Sequence, residues 1–169
     1  MKEKIPFYDI ANMFFTGAVF STISSLLVYD KIQLSGNLQN LLSFCKDWSV
    51  IVGTAVLIIM FEIGLILNKA GSVLLGKLFE KTLWPKTAYS IKVSELEKEN
   101  EKFKSLNTEL HVVRTHILMY FLLAILALIM KKWIPFVIFI VFVVMFIFAG
   151  KRTNKFMNKI KEDYEKSSK

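Results

Sequence analysis

One acidic residue, Glu62, interrupts an apolar stretch, IIMFEIGLILN, that covers residues 58–68. A carboxyl group in such a stretch is costly to place in lipid, and ionisable residues there often mark ion pathways, proton relays or polar helix contacts. Asn12, Thr16 and His116 interrupt other apolar stretches at comparable distances from their ends. We expect these four side chains to form a polar cluster inside a membrane.

Three roles are open for this cluster. A protonated or hydrogen-bonded Glu62 could fix helix packing, it could carry protons or cations or drive a protonation-linked switch, or its side chain could reach the membrane surface. A membrane enzyme would need several polar catalytic groups facing one cavity, and the apolar stretches supply one carboxyl group. The sequence also contains no Gly-rich phosphate loop, nucleophile elbow or Cys/His metal spacing. We therefore expect no catalytic residue, no metal and no cofactor.

The elements that position these residues follow from the composition. Mean hydropathy is +0.46, 54% of residues are hydrophobic, and the apolar residues form blocks separated by lysines. Crossing a bilayer takes about 20 helical residues. The chain is predicted to be an all-α polytopic membrane protein, a single membrane domain over residues 1–169 with a helical cytoplasmic loop and tail. The expected spans are 8–28, 48–68, 114–131 and 133–150, the first a retained helix and the last two an antiparallel hairpin.

The distribution of basic residues predicts the orientation. Nine lysines and arginines lie between residues 69 and 114, seven in the tail 151–169 and two in residues 1–9, whereas the two other connections hold two each. The positive-inside rule places the richer side in the cytoplasm. Both termini, the arm 69–113 and the tail 151–169 are then cytoplasmic. The start of the arm, to Pro85, is either an amphipathic helix in the headgroup plane or a helix covering the bundle's inner mouth.

Small residues predict where the spans meet. Helices in lipid associate through close backbone approach, which small residues permit. Gly17, Ser21 and Ser25 recur along one side of the first span, and Ser49 and Gly53 have a small-xxx-small spacing on the second. These two spans are expected to pack against each other or against a second copy. The fourth span carries many Phe, Val and Ile and no such stripe, so we expect it to face lipid.

The arm and the tail offer surfaces for partners. The arm's expected docking residues are Leu96, Phe103, Leu106 and Leu110. Two apolar registers overlap in the arm. One is an amphipathic face, and the other is a heptad pattern in which Asn100, Asn107 and Arg114 occupy the intervening positions. The tail's basic patch suits membrane lipids with anionic headgroups or an acidic protein surface, with no direct nucleic-acid contact expected, and consists of Lys151, Arg152, Lys155 and Lys159.

Three segments suggest a family: PFYDIANMFFTGAVF at the start, LNKAGSVLLGKLFEKT at the end of the second span, and TELHVVRTHI before the third. In these segments and its layout the chain resembles the KwaA family, the four-span membrane subunits of the Kiwa anti-phage defence system. The resemblance implies a homo-oligomer, with a tetramer favoured, in the bacterial inner membrane. It further implies a sensor and scaffold that recruits a cytosolic effector protein, KwaB. No individual site residue is carried over.

Two other functions remain open from the residues alone. One is a small proton- or cation-coupled transporter or ion channel that uses Glu62. The other is a pore-forming membrane effector, which would act without any partner.

Overall fold

Four long helices make up the part of the chain that the computed structural model describes, residues 7–33, 49–76 and 100–167. They are α1 (Phe7–Gln33), α2 (Ser49–Ala70), α3 (Glu101–Ile129) and α4 (Trp133–Ser167), and a π-helical turn, Gly71–Leu75, follows α2. All four are long and apolar enough to cross a membrane. The described residues contain no strand. The predicted all-α class with four membrane helices is confirmed.

The second membrane helix is longer than predicted. Instead of ending at Asn68, α2 passes directly into the π-helical turn, so the apolar helix covers Val50–Leu75. Only Lys69 and Ser72 interrupt the apolar run after Asn68, and neither residue breaks a helix. The described start of the arm, residues 69–76, therefore continues α2 instead of forming a separate segment. The remainder of that segment lies outside the described residues.

A tight turn joins α3 to α4, as the sequence predicts. Lys131 adopts a left-handed conformation, with φ of 56°. Its amide donates to the carbonyl of Leu128 at 2.9 Å, and the amide of Lys132 donates to that of Ala127 at 2.9 Å. These two bonds form a Schellman motif, which ends a helix by satisfying its last carbonyls. The rings of Tyr120 and Phe139 stack at 6.3 Å across the resulting antiparallel hairpin.

An asparagine cap begins α3. The side-chain oxygen of Asn100 accepts a hydrogen bond from the amide of Phe103 at 3.1 Å, and its carbonyl accepts one from the amide of Lys104 at 3.1 Å. This is the N-cap arrangement, in which a short polar side chain satisfies an amide of the first helical turn. The heptad interpretation of Asn100 is therefore wrong, because this residue precedes the helix. Phe103, Leu110, Val113 and Ile117 instead form the plain amphipathic face.

Replacing the cap should loosen the start of α3. We expect Asn100→Ala to cost about 1 kcal/mol of helix stability, while Asn100→Asp, which keeps a side-chain acceptor, should cost much less. Amide hydrogen exchange of residues 101–104 in detergent measures the effect. Equal exchange in the two variants would contradict the role of the side chain as a cap.

The helices divide into two compact units, Met1–Leu67 with Met119–Ile140 and Asn68–Leu118 with Val141–Lys169. In the first unit the most buried apolar side chains among the described residues come from α3, each at most 1% exposed: Met119, Leu123, Ala124 and Ala127. The second unit has its own apolar core of Phe103, Leu110, Val113, Ile117 and Met157. α3 and α4 each contribute to both units.

Candidate functional site

Glu62 faces outward in the first unit. It precedes Gly64 by two residues, so its side chain points about 200° away from that glycine around the helix. Gly64 is buried against the backbone of α1, whereas Glu62 is exposed, as are Ile58 and Ile66 one turn to either side. Glu62 has no hydrogen bond or ion pair with any described residue. The expected contact of Glu62 with Asn12 and Thr16 of α1 is not formed, because α1 packs on the opposite side of α2.

Glu62 makes no hydrogen bond with the other members of the expected polar cluster among the described residues. In the first unit Thr16 is 1% exposed, and its hydroxyl has no hydrogen-bond partner among the described residues, while Asn12 is half-buried. His116 belongs to the second unit. There its Nδ1 lies 2.8 Å from the carbonyl oxygen of Val112, and its ring stacks on Phe146 at 5.0 Å. These contacts are made within α3 and with α4, so His116 serves helix packing.

Glycines bring α1 and α2 together in the first unit. A methyl group added at Gly17 would overlap the carbonyl oxygen of Met60 and lie 2.8 Å from the amide nitrogen of Gly64. A methyl group at Gly64 would likewise overlap the carbonyl oxygen of Met13. The predicted packing role of Gly17 matches this contact, but Gly53 has nothing within 4 Å of an added methyl group. The partner of Gly17 is therefore Gly64. Gly53 does not take part in the contact with α1, and its packing against a second copy stays a prediction.

The serines of the α1 stripe line a groove beside this contact. Ser21 and Ser25, with Tyr29, form the α1 wall, and Val56 and Ile59 belong to the α2 wall of a cavity of about 400 Å³. The two helices therefore separate after their closest approach at Gly17. The stripe suggested that Ser21 and Ser25 belong to the tight contact, but both serines line the groove instead.

Two hydrogen bonds form a polar seam in the second unit between the end of α2 and α3. The Thr115 hydroxyl donates to Asn68 Oδ1 at 2.8 Å, and Ser72 Oγ is hydrogen-bonded to His111 Nδ1 at 3.1 Å. We call Asn68, Ser72, His111 and Thr115 the polar seam. The sequence analysis did not predict the polar seam, although the i, i+4 spacing of Asn68 with Ser72 and of His111 with Thr115 could have indicated it.

Gly71 allows the π-helical turn to approach α3 closely at the polar seam. A methyl group at Gly71 would lie 3.1 Å from Thr115 Cα and 3.2 Å from its amide nitrogen, so the backbones of the turn and α3 are nearly in contact. The neighbouring Arg114, only 7% exposed, is also held in this unit and approaches Gly76. The π-helical turn sits at this close approach, and such turns often mark functional positions in helices.

The expected docking face of the arm is covered by the chain's own tail. Phe103 is 0% and Leu110 1% exposed, and both pack in a core with Met157 of α4. Leu106 is partly buried against the same core, and Leu96 lies outside the described residues. The assignment of Phe103, Leu106 and Leu110 to partner docking is therefore wrong. α4 continues as a helix to Ser167 and supplies the apolar surface that the arm requires.

The predicted basic patch is exposed along one side of α4. Lys151, Arg152, Lys155 and Lys159 are all exposed and fall within about 100° around the helix. Two exposed aromatic rings accompany them, because Lys151 lies 5.8 Å from the Phe148 ring and Arg152 5.9 Å from the Phe156 ring. We call these four basic residues the basic stripe. Met157 and the rest of the core occupy the other side of α4, so the stripe is free for a binding partner.

The three ranges that the structure describes contain no group of three His, Cys, Asp or Glu residues able to hold a metal ion. No protein-family model, curated protein or solved structure matches the chain significantly.

Proposed function

We propose that this chain is a non-enzymatic sensor and scaffold of the bacterial inner membrane, which forms homo-oligomers and recruits a cytosolic effector protein in anti-phage defence. One observation carries the proposal: α3 and α4 continue beyond their apolar stretches and pack around a common core that leaves the basic stripe exposed. We call these extensions, residues 101–113 and 151–167, the stalk. A transporter has no need of such a structure, whereas a docking platform requires it.

The charge distribution supports a cytoplasmic stalk. The hairpin tip carries two basic residues, while residues 69–114 and 151–169 together hold most of the chain's lysines and arginines. The positive-inside rule then assigns the stalk and both termini to the cytoplasm. Lys151 and Arg152, close to the apolar stretch, are suited to anionic headgroups, and Lys155 and Lys159 are available to an acidic protein surface.

The polar seam offers a way to pass a signal to the stalk. Each hydrogen bond of the seam contributes only about 0.5–1.5 kcal/mol net, whereas opening the core around Phe103 would cost several times more. Leu75, in the turn that follows α2, packs against the same core, so a displacement of α2 acts on the stalk through both the seam and this contact. Perturbation of the envelope that shifts α2 would thereby reposition the docking platform.

The defence context rests on the resemblance to the KwaA family in three segments. Two of those segments contain the polar seam, since Asn68 and Ser72 lie in LNKAGSVLLGKLFEKT and His111 and Thr115 in TELHVVRTHI. The residues that carry the resemblance are thus the ones that join α2 to the stalk. A tetramer with a KwaB-like effector is the corresponding assembly.

Charge reversal on the stalk tests the proposal. We expect Lys155→Glu with Lys159→Glu to weaken recruitment of the effector about tenfold, as the loss of two exposed ion pairs with added repulsion would. Lys102→Glu with Lys104→Glu, an equal charge change at exposed positions of α3, should leave recruitment intact. Affinity purification in mild detergent, from cells that express the chain with its neighbouring genes, measures the co-purified effector, and phage plating measures defence.

Two results would overturn the proposal. One is the absence of any co-purified cytosolic protein together with full defence in both double variants. The other is proton-driven cation flux in liposomes that the chain alone supports and Glu62→Gln abolishes, which would favour the transporter. Collapse of the membrane potential on expression without any partner would favour the pore-forming effector.

A further inference from the structure

Glu62 lies deep within the apolar part of α2. Twelve residues separate it from Val50 and seven from Lys69, about 18 Å and 10 Å along the helix axis. A glutamate side chain is much shorter than either distance, so it does not bring its carboxyl group to water. An ionisable group at this depth is normally turned toward a protein interior or a polar cavity. In the first unit, however, Glu62 faces outward.

The residues around Glu62 form a ridge suited to helix packing. Ile58 and Ile66, 58% and 62% exposed, flank it at i−4 and i+4. Rows at i±4 spacing are the ridges that interdigitate when two helices pack. The outward side of α2 thus combines a continuous apolar ridge with one polar group that lipid cannot satisfy.

We propose that this side of α2, from Ile58 to Ile66, is a contact between copies of this chain in which the Glu62 side chains of neighbouring copies meet. This contact rests on the proposed function only in requiring that the chain forms a homo-oligomer. Every copy inserts with the same orientation, so closed symmetry about the membrane normal brings each Glu62 to the same depth. The face is therefore complementary to itself at its single polar residue.

A second copy meets the chemical requirement of the carboxyl group. Another copy offers no lysine or arginine at this depth, because the apolar stretches contain none. These stretches are residues 10–29, 50–68, 117–130 and 133–150. A carboxyl O–H can donate a hydrogen bond to a carboxyl oxygen, so the Glu62 side chains of two copies can satisfy each other. Glu62 paired in this way is satisfied without leaving the hydrocarbon.

Cysteine cross-linking in native membranes tests the contact. The chain has a single cysteine, Cys45, so Cys45→Ser provides a background for Ile58→Cys and Ile66→Cys on the proposed ridge. Leu57→Cys is the matched control, because Leu57 is also exposed (52%) but lies about 140° around α2 from Glu62. On mild oxidation we expect cross-linked dimers from Ile58→Cys and Ile66→Cys and none from Leu57→Cys.

Variants at position 62 test the carboxyl pair. Glu62→Gln keeps a hydrogen-bonding side chain and should retain the oligomer. Glu62→Leu should raise the dissociation constant of the oligomer tenfold or more. Mass photometry in detergent measures this constant. Equal cross-linking at all three α2 positions, cross-linking at none, or undiminished assembly of Glu62→Leu would overturn the inference. Effector recruitment through the basic stripe is measured separately, so an oligomer that recruits effector without α2 cross-links would sink this contact and leave the proposed function standing.

Discussion

Alanine at position 64 is expected to lower the free energy of unfolding by about 3 kcal/mol, at the upper end for overpacking substitutions. The added methyl group would overlap the carbonyl oxygen of Met13 and lie 3.1 Å from the amide nitrogen of Gly17. These are backbone atoms, and a backbone cannot rotate aside as a side chain does, so α1 and α2 must separate.

Gly53→Ala is the matched control for this prediction. It makes the same chemical change on the same helix, at a position with nothing within 4 Å, and alanine is the better helix former by about 1 kcal/mol. We expect Gly53→Ala to be neutral or slightly stabilising. Unfolding by SDS in mixed micelles, followed by circular dichroism, compares the two variants. Similar midpoints for Gly53→Ala and Gly64→Ala would mean that the helices do not cross at Gly64.

The second large effect is expected from Phe103→Ala, which should cost about 3–5 kcal/mol of local stability in the stalk. Phe103 is completely buried in the core that Leu110 and Met157 also form, and its removal leaves a cavity. Phe156→Ala, where the ring is 49% exposed, should cost about 1 kcal/mol at most, mainly its contact with Arg152. Limited proteolysis and hydrogen exchange of residues 101–113 and 151–167 distinguish the two.

Phe103→Ala and Phe156→Ala also test whether Phe103 belongs to the core of the stalk or is an exposed contact for a partner. If Phe103 were an exposed contact for a partner, Phe103→Ala would weaken effector binding without changing proteolysis of the stalk. If it belongs to the core, the stalk becomes protease-sensitive first. Full resistance of the Phe103→Ala stalk would contradict the burial of this ring.

The helices were predictable because membrane helices follow from local properties. Long apolar blocks, a Lys-Lys turn and Pro135 in the first turn of a helix define α3 and α4 without reference to any distant residue. The continuity of α4 into the basic tail followed equally from its helical spacing of apolar residues, and it is observed to Ser167.

The contacts between helices were harder to predict. Gly53 and Gly64 look equivalent in sequence, and only the position at which α1 crosses α2 decides which one is needed. The direction of Glu62 follows from the same crossing, so the expected cluster with Asn12 and Thr16 does not form. The arm's apolar face was recognised, but an apolar face does not reveal whether its partner is another protein or the tail of the same chain.

The short turn at Lys131 and Lys132 also bears on how the chain enters the membrane. Helices joined this tightly cannot insert separately, since either one alone would leave the apolar surface of the other in water. Carrying the two lysines across the hydrocarbon costs about 2.5–3.5 kcal/mol each, far less than carrying the many charges of residues 101–114 and 151–166. We therefore expect α3 and α4 to enter the bilayer together, as one helical hairpin.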